Sequence, residues 1–296
     1  MLLFDEEVCD KMEIKKIGVI GAGQMGSGIA EVAISSGFHV LMRDVTPEAL
    51  DRGKNRIIGD LKRRVEKGKI SPEEREAILK RLSTTTRLED FRDCEFIIEA
   101  VVENIPLKEE VYKELDKIAP KETTLASNTS SISITRIASF TRRPDRVVGM
   151  HFFNPAPLMK LIEIIRGLAT SDETFQITRE LSLNLGKTPV EANDFPGFIS
   201  SRLIFSLMNE AIYALYEGAG KAEEIDSIMK LGANHPMGPL ELADYVGLDT
   251  VLSVMCILQE AFGDKYRPCP LLIKYVDAGY LGLKAGRGFY PYGEKR

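Results

Sequence analysis

The stretch Gly21-Ala22-Gly23-Gln24-Met25-Gly26 lies between two short apolar runs, residues 16–21 and 38–42, and leads into small, helix-compatible residues from Gln24 to Ser36. An apolar run of this length bounded by glycine predicts a buried parallel strand, and Gly37 stands where a helix stops. Strand, turn, helix and strand in that order make a βαβ unit. In such a turn Gly21 permits the tight bend, Gly23 lets backbone approach a pyrophosphate, and Gly26 lets the helix pack close on the strand. The helix start, with Gln24 and Met25, then offers N–H groups and the positive end of its dipole to phosphates. Asp44 closes the second run, eighteen residues after Gly26. A carboxylate there accepts from both ribose hydroxyls of an adenosine and repels a 2′-phosphate, which favours NAD over NADP. The neighbouring Arg43 is what a 2′-phosphate seeks. A dinucleotide site is the expectation, against a purely structural glycine turn.

The alternation continues along the chain. Residues 95–102, 123–127, 146–153, 161–165 and 188–190 are strand-like; Pro106 opens one helix, residues 132–140 form another, and Asp172 caps a third running to Gly186. This predicts a Rossmann-type doubly wound α/β sheet. After Asp194-Phe195-Pro196-Gly197 the texture changes. Residues 198–217, 221–231, 239–246, 249–262 and 270–278 all carry a helical period, with no convincing strand among them. The expected organisation is an N-terminal extension over 1–13, an NAD-binding domain over 14–196 and an all-helical domain over 197–296.

Inside the first domain, residues 47–67 and 72–82 form a charged helical hairpin. From Asp51 to Arg81 there are eleven Lys/Arg against six Asp/Glu, in a chain whose net charge is −5. A solvated hairpin and a polyanion site both fit that excess. The acidic whole argues against nucleic acid as a partner, and no apolar run is long enough to span a membrane. Cys9, Cys94, Cys256 and Cys269 make no CxxC pair and no zinc spacing. Reduced thiols in a cytoplasmic protein without a metal are expected. Residues 1–13 are acidic and lack the apolar core of a secretory signal, so they read as a loosely docked extension.

Moving a hydride between an alcohol and NAD needs a base near the hydroxyl proton, and histidine titrates in the right range. His39 sits within the second strand and His235 in a turn between helices, where structural roles are expected. His151 ends the strand of residues 147–150, at the strand end where ligands gather in open α/β sheets. Catalysis and core packing are both open to it by position alone. Glu163 stands among Leu161, Ile162, Ile164 and Ile165. A lone acid there needs a partner. If the two strands form a hairpin, Glu163 faces His151 and steadies its tautomer; the alternative is a structural ion pair.

Several motifs in order, Gly21–Gly26, Ala126–Ser131, His151–Pro155, Met159–Glu163, Pro196–Phe198 and Gly232–Pro239, resemble the L-3-hydroxyacyl-CoA dehydrogenases, most nearly the bacterial 3-hydroxybutyryl-CoA branch. The likeness runs from about Lys16 to Tyr292. It implies an NAD-binding domain followed by a helical domain for substrate and dimerisation, and interconversion of L-3-hydroxyacyl-CoA with 3-oxoacyl-CoA. It makes His151 the base, Glu163 its partner and Ser130 a ligand of the substrate oxygen. Asp44, Glu103, Lys108, Asn154 and Lys284 match positions that contact NAD, and Asn128 shapes the same site. The basic hairpin matches the part that holds CoA phosphates, with Lys62, Arg63 and Lys67 as candidates.

One position departs from the family. Where it usually has Val-Asn-Arg after Pro-Gly-Phe, this chain has Ser200-Ser201-Arg202. Ser201 offers one hydroxyl in place of an amide, so a weaker or water-bridged contact is expected. Two other functions stay open: a dehydrogenase of a free, non-CoA 3-hydroxy acid, and a catalytically weakened NAD-binding protein.

Overall fold

The computed structural model describes residues 14–293, so the extension expected over residues 1–13 lies outside them. The chain divides after Asp194 into two units.

The first unit runs β1 (Lys16–Ile20), α1 (Gln24–Ser35), β2 (His39–Arg43), α2 (Pro47–Glu66), α3 (Pro72–Leu79), β3 (Leu82–Thr85), β4 (Phe96–Glu99), α4 (Ile105–Ile118), β5 (Thr124–Ser127), α5 (Ile134–Ala138), β6 (Val147–Phe152), β7 (Leu161–Arg166), α6 (Asp172–Asn184) and β8 (Thr188–Asn193). The sheet order is β3-β2-β1-β4-β5-β6-β7-β8. Every adjacent pair is parallel except β6–β7, which is antiparallel. Strand order reverses between β1 and β4, where doubly wound sheets open a ligand crevice at the carboxyl edge. Burial explains the strand pattern: in β1 Ile17, Val19 and Ile20, and in β4 Phe96, Ile97 and Ile98, are fully enclosed, as in a sheet covered on both faces. Ile17, Val19, Phe96 and Ile98 share one core with Ile29, Ala30, Ala33 and Ile34 of α1.

Two local expectations change. Strand β3 replaces the tail of the hairpin's second helix, which stops at Leu79. A four-residue edge strand with no fully buried side chain has no alternation to announce it. The cap of α6 is Ser171, whose side chain accepts from the Thr174 amide, and Asp172 is the first helical residue.

The second unit holds α7 (Ser200–Tyr216), α8 (Ala222–Gly232), α9 (Pro239–Val246), α10 (Leu248–Phe262) and α11 (Pro270–Asp277). Its core includes Met208, Ile212, Leu240, Val251, Leu258 and Leu272. Helix α7 begins later than the period suggests because Gly197 (φ +74°) and Phe198 (φ +47°) have left-handed backbone, which no α-helix accepts. Buried Asp244 ties the C-terminal segment to α9: it accepts from the Phe289 and Tyr290 amides and the Tyr292 hydroxyl, each at 3.0 Å. Burial pushes its carboxyl above the usual range. No helix among the described residues is long and apolar enough to cross a membrane.

Candidate active site

The turn from β1 into α1 is built around close backbone approaches. Gly21 holds φ +102°, and a Cβ on it would sit 2.5 Å from the Ala100 carbonyl oxygen. A Cβ on Gly26 would sit 1.8 Å from the Gly21 carbonyl oxygen, so only glycine lets α1 lie this close. At Gly23 a Cβ would meet nothing within 4 Å, and α1 starts without a side-chain cap. The turn therefore presents open space and helix amides together, which is what a pyrophosphate needs. Asp44 braces the turn through Oδ2, which accepts from the Ala22 amide at 2.7 Å. Arg43 donates from Nε to the Thr86 carbonyl at 3.2 Å. Met25 packs on the core, while Gln24 is exposed and donates to Asn154 at 2.9 Å.

His151 and Glu163 are directly paired residues of the β6–β7 hairpin. Nδ1 of His151 lies 2.8 Å from Oε2 of Glu163, and both side chains are buried. A carboxylate only accepts, so this contact suits the tautomer that carries its hydrogen on Nδ1. The Phe153 ring lies 4.7 Å from the imidazole, centroid to centroid. Asn128 accepts the Phe152 amide at 2.8 Å, joining the loop after β5 to the end of β6. In that loop the Ser130 amide donates to Glu103 at 2.8 Å. The Lys108 ammonium is enclosed, 2.7 Å from Glu99 and 3.4 Å from Glu103. Glu99 is not among the residues that the sequence singles out: it closes β4, whereas Glu163 interrupts β7 in mid-strand.

Of the sequence candidates in the helical unit, Lys284 has a charged partner and Ser201 is enclosed. The Lys284 ammonium is paired with Asp249 at 2.5 Å. Ser201 is buried in the first turn of α7, beside Arg202, whose Nε donates to the Tyr266 hydroxyl at 2.8 Å. His39 is exposed at the start of β2, and His235 is half-buried before α9.

On α2, Leu50, Gly53, Ile57 and Leu61 face inward. Lys62, paired with Glu66, and Arg63, which meets Asp60, stay on the solvent side, and Lys67 caps the helix end. A cavity of about 320 Å³ lies between α1, α2 and the loop after β6, with Gln24, Glu31, Arg56, Arg63, Asn154 and Pro157 in its wall.

Glu31 is 1% exposed and its Oε1 has no hydrogen bond, with Arg64 3.8 Å away. Burial pushes its carboxyl up to about 7, against the pull of Arg64 and Arg63. An acid raised in the fold stabilises below its unfolded value and loses that contribution as pH rises to its folded value. Between about pH 4.5 and 7 the fold is thus expected to lose about 3 kcal/mol at this group. Glu31→Gln should be the more stable protein at pH 8 by that order, with the gap closing at pH 4. Urea unfolding across this range checks it; parallel curves for the two proteins contradict it.

Comparison with known proteins covers nearly the whole chain. Residues 16–195 match the family model described as 3-hydroxyacyl-CoA dehydrogenase, NAD binding domain, and residues 197–292 match 3-hydroxyacyl-CoA dehydrogenase, C-terminal domain. A probable 3-hydroxybutyryl-CoA dehydrogenase of Bacillus subtilis is 57% identical over 285 residues, spanning 96% of this chain and 99% of the relative. The 3-hydroxybutyryl-CoA dehydrogenase of Bradyrhizobium diazoefficiens is 52% identical over 280 residues, spanning 94% and 96%. Among solved structures, the (S)-3-hydroxybutyryl-CoA dehydrogenase of Ralstonia eutropha superposes with a TM-score of 0.92 at 45% identity, over 95% of this chain and 100% of the other.

Proposed function

The chain belongs to the 3-hydroxyacyl-CoA dehydrogenase family, and on that footing we propose that it interconverts short-chain L-3-hydroxyacyl-CoA and 3-oxoacyl-CoA with NAD as its cofactor. When bound, the nicotinamide takes up or supplies the hydride. In the oxidising direction Nε2 of His151 removes the proton of the substrate hydroxyl. In the reducing direction the imidazolium returns a proton to the substrate oxygen. Glu163 keeps Nδ1 protonated and stabilises the imidazolium. Ser130 orients the substrate oxygen, with Ser201 as a weaker polar contact in place of the family's asparagine.

The glycine turn holds the pyrophosphate and Asp44 the adenosine ribose; Glu103, Asn128, Asn154, Lys108 and Lys284 complete the cofactor site, the last two through charge. Lys62, Arg63 and Lys67 take the CoA phosphates, and the cavity beside α1 and α2 supports this because Arg63 belongs to its wall. We place the protein in a reducing compartment such as the cytoplasm, in keeping with the free thiols Cys94, Cys256 and Cys269. A homodimer through the helical domain accounts for exposed Leu203 on α7 and Ile228 and Leu231 on α8.

The observation that carries this function is the buried 2.8 Å pair of His151 and Glu163. The test is NADH oxidation with acetoacetyl-CoA and, separately, with free acetoacetate. Turnover of the thioester alone, inhibited by free CoA, is the expected result. Turnover of free acetoacetate instead would make the chain a hydroxy-acid dehydrogenase, and none with either a binding protein. Removing two hairpin cations, Arg63→Ala with Lys67→Ala, is expected to raise KM for acetoacetyl-CoA about tenfold or more, through lost charge-assisted bonds, and to leave KM for NADH unchanged. An equal rise in both constants would detach the hairpin from CoA.

A further inference from the structure

Glu99 closes β4 with its side chain wholly enclosed, yet it is met by donors on both oxygens. Its Oε1 accepts from Lys108 Nζ at 2.7 Å and from the Val101 amide at 2.8 Å. Its Oε2 accepts from Lys108 at 2.8 Å and from the Ser127 hydroxyl at 2.7 Å. Lys108 lies 3.4 Å from Glu103 Oε2. The other oxygen of Glu103 accepts from the Thr129 hydroxyl at 2.7 Å and from the Ser130 amide at 2.8 Å. An unbroken chain of polar contacts thus runs from the floor of the sheet to the loop that carries Ser130.

The electrostatics set how this chain works. Lys108 is 1% exposed, so its ammonium draws almost nothing from water and must be neutralised by its neighbours. Glu99 holds it through both carboxylate oxygens, with two short bonds, while Glu103 holds it with one long contact. Glu103 is more exposed, at 39% of its side chain, and uses its nearer bonds on Thr129 and Ser130. By satisfying Lys108, Glu99 leaves Glu103 turned to the loop. Without that charge, Lys108 would claim the Glu103 carboxylate and draw it off Ser130.

We infer that Glu99 is a positioning residue for the dehydrogenase reaction, acting through Lys108 and Glu103 to set Ser130 against the substrate oxygen. This rests on the function proposed above for Ser130.

The test is Glu99→Gln, alone and combined with Lys108→Met. Two quantities are read: hydrogen exchange in the segment 128–132, and kcat with acetoacetyl-CoA at saturating NADH. In the single variant, exchange should quicken and kcat should fall about tenfold or more with KM for acetoacetyl-CoA within about twofold, the cost of a slightly misplaced group. In the double variant no ammonium competes for Glu103, so protection of segment 128–132 should return most of the way; kcat is read in the single variant alone, because Lys108 belongs to the proposed cofactor site. A residue that only supports the fold would lower the melting temperature without this split, and the double variant would be no better than the single.

An unchanged kcat in Glu99→Gln, or no recovery of protection in the double variant, overturns the proposal. If the unaltered chain does not turn over acetoacetyl-CoA, the dehydrogenase function fails, and the exchange rates alone decide whether Glu99 sets Ser130. Glu99→Asp keeps the charge but draws the carboxylate back by one methylene; it supplies the same two readings should the amide variant not fold.

Discussion

His151→Ala is expected to lower kcat for acetoacetyl-CoA reduction by at least about 10², within the 10²–10⁴ range that a positioned acid or base supplies. NADH affinity should be unchanged, because the glycine turn follows β1 and Asp44 follows β2, not β6. The substitution also leaves Glu163 buried without the imidazole that stands 2.8 Å away, so some loss of stability is expected with it. His151→Gln separates the two effects. An amide can still donate to Glu163 yet cannot carry a proton through the reaction. It should therefore restore stability and not kcat. Should His151→Gln keep a kcat within a few-fold of the unaltered chain, the imidazole is not the acid and base.

The second large effect concerns the glycine turn. Gly26→Ala puts a Cβ at 1.8 Å from a backbone oxygen, and the atom it meets is not the far end of a flexible side chain. The turn must open or α1 must move away from β1. The expected result is a stability loss at or above the roughly 1–3 kcal/mol typical of overpacking, with NADH binding weakened about a hundredfold or more. Gly23→Ala is the informative partner, because its Cβ meets no protein atom within 4 Å. It should fold with an unchanged melting temperature while still weakening NADH, since the new methyl stands where the pyrophosphate approaches. If Gly23→Ala binds NADH as tightly as the unaltered chain, the phosphates do not lie over this turn.

Much of the sheet is legible in the sequence because its signals are local. Buried parallel strands are short apolar runs, and β1, β2, β4, β5, β6 and β7 each contain one. The elements that escape are those whose residues take their conformation from neighbours. Strand β3 exists because its backbone pairs with β2, Val40 opposite Leu82, and Leu-Ser-Thr-Thr alone has no period. The late start of α7 follows from the positive φ of Phe198, which an aromatic residue does not announce. At the site, Glu163 stands out as an acid among apolar residues. Glu99 closes its apolar run where Glu163 interrupts one, and it is missed because nothing local ties it to Lys108, which reaches back to it from a helix.

A dinucleotide turn is written into residues 16–44 because each of its requirements is met by the residue in place: a missing Cβ, a run of apolar side chains, an acid at a strand end. The pairing of His151 with Glu163 needs more. It depends on β6 and β7 running antiparallel in a register that sets these two residues opposite each other, and a shift of one residue would put them on different faces. The chain from Glu99 to Ser130 depends on β4 and β5 lying side by side, with Glu99 beside Ser127. Such contacts join residues far apart in the chain, and only the packed sheet supplies the short distances and dry surroundings that give them their strength.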